Sequence, residues 1–140
     1  MRDALVQVYL HFIWGTWDRL PLVTLENERQ VYDAILEKCK KLGSTVIAIG
    51  GMPDHIHMLV RFPATISVAD FIKGVKGSTS HLMTHQVNAE EFFKWQGSYA
   101  VFSICEREVP KIKVYIQHQK EHHENNQADV TLDLKLENIS

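Results

Sequence analysis

Residues 45–62 read Thr45-Val-Ile-Ala-Ile-Gly50-Gly-Met-Pro-Asp54-His55-Ile-His57-Met-Leu-Val-Arg-Phe62. Thr45–Gly50 is β-branched and apolar, which predicts a strand. Gly50–Asp54 carries the glycines, the proline and the aspartate of a turn. From His55 the chain alternates: His55, His57, Leu59 and Arg61 fall on one strand face, and Ile56, Met58, Val60 and Phe62 on the other. Two strands joined by a turn therefore stand in the middle of the chain.

Upstream, Val31, Ile35, Cys39 and Leu42 recur at helical spacing, which predicts a helix over about Leu25–Leu42, capped by Thr24 and ended by Gly43. Before it, Val6, Val8, Leu10, Phe12 and Trp14 alternate with polar or half-polar residues over a first strand, Leu5–Trp14. Downstream, Ser67 and Asp70 resemble a capping box ahead of a helix running to about Gln86. Tyr99–Cys105 is a fourth strand, and Pro110 suits the first turn of a last helix, about Val109–Glu124. The order β-α-β-β-α-β-α gives an α+β class. Its first six elements match the ferredoxin-like split β-α-β sandwich, with an added C-terminal helix that carries Tyr115.

The chain has 140 residues, 45 % hydrophobic and 23 % charged, which is one ordinary domain. That domain is read as residues 1–127, and residues 128–140 as a short acidic tail. Net charge is −2, and without residues 129–140 the acids and bases balance at 14 each. The net charge argues mildly against a nucleic-acid partner and the neutral body weakens that objection, so any DNA affinity must come from local charge, metal and base contacts. The N-terminus lacks a signal-peptide layout, and no apolar run reaches the roughly 18 residues that span a bilayer. Cys39 and Cys105 match no zinc spacing, so both thiols are expected buried and free in a reducing, cytoplasmic setting.

Two stretches carry chemistry. In His55-Ile56-His57 the imidazoles point the same way and can converge on one divalent ion, or can simply line a solvated face. Asp54 beside them is either a partner behind a histidine or a turn residue, and the turn is the preferred reading. On the last helix, at 100° per residue, Tyr115, Gln119 and His122 fall within about 60° of one another. That face is either a plain polar surface or a grouping for a metal site, with His122 standing behind the ligands. A phenol, with a pKa near 10, becomes a useful nucleophile toward a phosphate polarised by a metal ion.

These residues carry a resemblance. Gly51-Met-Pro-Asp-His55-Ile-His57-Met-Leu-Val resembles the HUH motif (histidine, hydrophobic, histidine) of the small single-tyrosine insertion-sequence transposases that move single-stranded DNA. Tyr115-Ile-Gln-His-Gln119-Lys-Glu-His122-His123 resembles their nucleophile helix, and Val75-Lys76-Gly77-Ser78 and Trp95–Ser103 are also similar to family segments. The resemblance runs from about Val8 to Asn125. It implies the ferredoxin-like fold, and cleavage and rejoining of single-stranded DNA, at hairpin element ends, through a 5′-phosphotyrosine on Tyr115. It also implies His55, His57 and Gln119 as ligands of Mg²⁺ or Mn²⁺, and a homodimer. Lys73 and Lys76 are candidate phosphate contacts or solvated helix charges. Trp95 and Tyr99 can stack on bases, although core packing is the better expectation. Trp14, Trp17 and Arg19 receive no role, and His81, His85 and His118 are expected at the surface. The acidic tail matches nothing in the family. The competing readings are a non-catalytic ferredoxin-like nucleic-acid-binding protein, whose aromatic RNA-binding signature is absent, and a phosphohydrolase using His55, His57 and His122.

Overall fold

The computed structural model describes residues 4–87 and 90–119. Its elements are β1 (Val8–Gly15), α1 (Glu28–Lys41), β2 (Thr45–Met52), β3 (His55–Phe62), α2 (Val68–Leu82), β4 (Ala100–Ile104) and α3 (Val109–Gln117). The strands form one antiparallel sheet in the order β2-β3-β1-β4, the split β-α-β arrangement, with β3 and β1 in the centre.

The strand alternation divides the core in two. Phe12, Trp14, Ile56, Met58 and Val60 meet Val31, Ile35 and Cys39 of α1 and Phe71, Ile72 and Val75 of α2. On the opposite face, Leu59 and Ala48 pack under Ile116 of α3. The face that carries His55, His57 and Leu59 is therefore the one α3 covers.

Local signals set the helix ends. Thr24 and Asn27 cap reciprocally: the Asn27 N–H donates to Oγ1 of Thr24 at 3.2 Å and the Thr24 N–H to Oδ1 of Asn27 at 2.8 Å. Residues 25–27 form that turn, so α1 starts at Glu28 rather than at Leu25. Its far end is a Schellman motif: the Ser44 N–H donates to Cys39 O and the Gly43 N–H to Lys40 O, with Gly43 at φ 85°. The hydroxyl of Ser67 accepts from the Asp70 N–H at 3.1 Å and opens α2, which passes into a π-helical turn at Met83–Val87.

Two further boundaries differ from expectation for clear reasons. Gly50, Gly51 and Met52 belong to β2 and pair with His57, Ile56 and His55, leaving Pro53-Asp54 as the whole turn. The glycines serve close approach: a Cβ on Gly50 would collide with the carbonyl of Ile116, and one on Gly51 with the carbonyl of His55. The last helix ends at Gln117, because His118 leaves helical geometry at φ −109°, ψ 27°. The expected continuation to Glu124 lies, beyond residue 119, outside the described residues, as does the acidic tail.

Candidate active site

His55 and His57 project from β3 toward the same side, with ring centroids 5.2 Å apart, and both are buried. Tyr115 comes down from α3 and sets its ring edge-on to His57, centroids 5.7 Å apart. The three side chains meet within one chain because α3 lies on Gly50, the register partner of His57.

Each imidazole is held through Nδ1. Nδ1 of His55 lies 2.7 Å from Oδ1 of Asp54, and the other carboxylate oxygen of Asp54 lies 3.0 Å from the guanidinium of Arg19. Nδ1 of His57 lies 3.0 Å from Nε2 of His11, a fully buried histidine of β1. Burial pushes the Asp54 carboxyl up, but the hydrogen bond and charge of His55, together with Arg19, outweigh it and hold the group below its ordinary value. Asp54 fills both roles: it closes the turn and is the hydrogen-bond partner of His55.

Arg19 reaches Asp54 from an unusual backbone. Asp18 and Arg19 both sit at φ 53°, the left-handed region that costs a non-glycine residue about 1 kcal/mol or more. The segment is tied back through the Thr16 N–H to Asp54 O at 3.0 Å and the Thr16 hydroxyl to Leu20 O at 2.6 Å.

Gln119 is buried just past the end of α3. It lines a cavity of about 310 Å³ with Gly50, Gly51, Ile116, Tyr32 and Glu28. Neither its amide nitrogen nor its amide oxygen has a hydrogen-bond partner among the described residues. An amide buried that way costs about 1–3 kcal/mol, which a ligand to that oxygen would offset. Among the described residues no three His, Cys, Asp or Glu side chains group to hold a metal. Both imidazoles are engaged through Nδ1, whereas the residues lining the Gln119 cavity include neither His55 nor His57. Paired imidazoles of this kind would suit a divalent ion, supplying nitrogen donors without added negative charge.

Against that geometry, the model of the family described as IS200-like transposases matches residues 4–119. The chain belongs to the IS200-like transposase family. It is 28 % identical over 127 residues to the ISDra2 transposase TnpA of Deinococcus radiodurans, covering 86 % of this chain and 91 % of that protein. It is 30 % identical over 102 residues to the transposase of insertion sequence IS200 from Salmonella typhimurium, covering 69 % of this chain and 66 % of that protein. The fold is that of a transposase structure from Deinococcus radiodurans, with TM-score 0.69, 21 % identity, and 93 % and 98 % of the two chains covered. It is also that of a REP-associated tyrosine transposase solved with a REP hairpin, with TM-score 0.66, 14 % identity, and 88 % and 72 % covered.

In this transposase the remaining candidates separate. Trp95 is buried and packs edge-on to Trp14 and Phe93, with centroids 5.9 and 4.9 Å apart, so its ring belongs to the core and is not a stacking platform. The Lys76 ammonium donates to the carbonyls of Gln96 and Ser98, and burial pushes its pKa down. Lys73 is exposed on the rim of a cavity of about 400 Å³ shared with Lys76, Lys94, Gln96 and Tyr99. His122 lies outside the described residues. Cys39 is buried as expected, whereas Cys105 is exposed, because it follows the last residue of an edge strand and caps a short 3-10 turn. No described helix is long and apolar enough to cross a membrane.

His11 and Arg19 were missed by sequence reasoning. His11 reads as one polar residue in an alternating strand, and no local pattern marks it. Arg19 is called in by a turn 35 residues further along the chain.

Proposed function

We propose that this transposase cleaves and rejoins single-stranded DNA at Tyr115, with His55, His57 and Gln119 holding Mg²⁺ or Mn²⁺. The observation that carries the reading is the edge-on contact of the Tyr115 ring with His57, in a site whose two imidazoles are oriented from behind by Asp54 and His11. A divalent ion bound there supplies positive charge to the non-bridging oxygens of the scissile phosphate. Tyr115 attacks the phosphorus through its phenolic oxygen. The new bond is a 5′-phosphotyrosine, the broken one frees the 3′-oxygen as a hydroxyl, and the phenolic proton balances the one gained by the leaving oxygen. Because the diester energy is kept in the new bond, attack by a 3′-hydroxyl reverses the step and rejoins DNA.

The substrates we propose are folded hairpin ends of an element. A duplex stem with a single-stranded flank offers shape and phosphates to a protein whose overall charge is −2. The hairpin in the REP-associated relative supports that reading. Lys73 is the described phosphate contact in this proposal, at the rim of its cavity. We further propose a homodimer. The Tyr115–His57 contact within one chain supports a site completed inside each protomer.

The test is adduct formation. Oligonucleotides from the DNA flanking the gene, incubated with the protein and Mg²⁺, are expected to give a covalent product mapped by mass spectrometry to Tyr115. Tyr115→Phe is expected to lose the adduct and keep DNA binding. Cleavage surviving in Tyr115→Phe, or a nucleotide on Tyr9, Tyr32 or Tyr99, overturns the mechanism. DNA binding with no cleavage by the wild type returns the protein to the binding-module reading.

A further inference from the structure

His11 stands on β1 opposite Leu59 and on the same sheet face as His57. It is fully buried, and its ring lies 5.2 Å from that of His57 and 6.4 Å from that of Phe102, centroid to centroid. The 3.0 Å separation of its Nε2 from Nδ1 of His57 is a hydrogen bond, and a hydrogen bond between two neutral imidazoles has only two solutions. Either His57 carries its proton on Nδ1 and His11 accepts, or His11 donates and His57 accepts. In the first solution the Nε2 of His57 is bare and can ligate. In the second the proton of His57 sits on Nε2 and blocks it.

We propose that His11 is a positioning residue for His57: its Nε2 accepts from the Nδ1–H of His57 and fixes the tautomer and ring angle that present a bare Nε2 to a divalent ion. This rests on the metal site proposed above. The two site imidazoles are then held by chemically different devices. His55 is held by the carboxylate of Asp54, which brings a negative charge that Arg19 balances. His57, the ring against which Tyr115 packs, is held by another imidazole and not by a carboxylate. A carboxylate in the place of His11 would put an unbalanced negative charge beside the phosphodiester that Tyr115 must approach. A neutral acceptor orients the ring without that repulsion.

Two substitutions separate positioning from packing. His11→Gln keeps an acceptor near the place of Nε2, and His11→Leu keeps comparable volume with no acceptor. Two readouts are used on the full chain without DNA: the ¹⁵N NMR tautomer of His57 in metal-free protein, and Mn²⁺ affinity by calorimetry. The wild type is expected to show His57 protonated at Nδ1. His11→Leu is expected to admit the Nε2–H tautomer and to weaken Mn²⁺ binding about 10–100-fold, the usual effect of losing a partner behind a ligand. His11→Gln is expected to restore both. An unchanged tautomer and unchanged affinity in His11→Leu overturn the proposal, as does a wild-type His57 protonated at Nε2. Affinity lost equally in both variants, with the Nδ1–H tautomer retained, makes His11 a ligand itself and also overturns it. A wild type that binds no Mn²⁺ defeats the metal site instead, and the tautomer measurement still decides the role of His11.

Discussion

Gly50 lies directly against the backbone carbonyl of Ile116, and no side chain larger than hydrogen fits between them. This approach seats α3 on β2 and brings Tyr115, the residue before Ile116, onto the ring of His57, the register partner of Gly50. Replacing Gly50 with Ala should therefore push α3 off the sheet. We expect a loss of about 1–3 kcal/mol, the usual range for overpacking, and a fall in adduct formation larger than that stability loss explains. Thermal unfolding and adduct yield, measured on the same preparation, check this. Full adduct yield from Gly50→Ala would show that α3 need not sit where it does.

Asp54 and Arg19 should matter more for metal than for stability. Their ion pair is partly exposed, and such pairs add about 0–1 kcal/mol. Asp54→Ala is expected to weaken Mn²⁺ binding about 10–100-fold, and Arg19→Ala by a smaller factor, because it acts only through Asp54. Arg19→Gly provides the internal control. It relieves the left-handed backbone at φ 53° and should unfold at a temperature no lower than Arg19→Ala, while binding Mn²⁺ just as weakly. Calorimetric titrations of the three variants decide it, and wild-type affinity in Asp54→Ala would remove Asp54 from the site.

Lys73 and Lys76, one turn apart on α2, should give opposite phenotypes. Lys73→Ala should leave the unfolding temperature unchanged and flatten the salt dependence of single-stranded DNA binding by about 0.7 in log–log slope, one phosphate contact. Lys76→Ala strips the donor from the carbonyls of Gln96 and Ser98, so it should lower the unfolding temperature. Binding isotherms over a salt series, with melting curves, separate the two; an unaltered slope for Lys73→Ala excludes it as a contact.

The two cysteines predict a pH effect. Cys105 is exposed and should react at once with a thiol reagent, whereas Cys39 should react only on unfolding. Burial pushes the Cys39 thiol from 9.0 to about 11, partly offset by Ser44. Between those values the unfolded chain loses a proton that the folded chain keeps. Stability should therefore fall with rising pH across that window, by an amount on the order of 2–3 kcal/mol from this group. Tyr32, raised by burial and by Glu28, continues the decline at higher pH. Denaturation midpoints from pH 8 to 11 should drop less in Cys39→Ala than in the wild type; identical slopes would show that Cys39 is not the source.

Element order, most helix caps and the facing of His55 and His57 are legible in the sequence, because these follow from spacing and from residues a few positions apart. Period-2 alternation puts both imidazoles on one side of β3 whatever surrounds them, and Ser67 and Gly43 act on backbone groups within their own turn. What the polar groups meet depends on the fold. Gly50 looked like a turn because glycine permits two things, unusual torsions and close approach, and only the presence of α3 says which is used. Asp54 bonds its own neighbour His55 but is joined by Arg19 from 35 positions away, Trp95 becomes core only against Trp14, and His11 is one polar residue among several until it faces His57, 46 positions away. Hydrogen bonds and ring contacts act over a few ångströms, while several of the pairs that make them here are tens of positions apart. Local pattern names the side chains that can do chemistry, and the fold chooses which of them are held in place to do it.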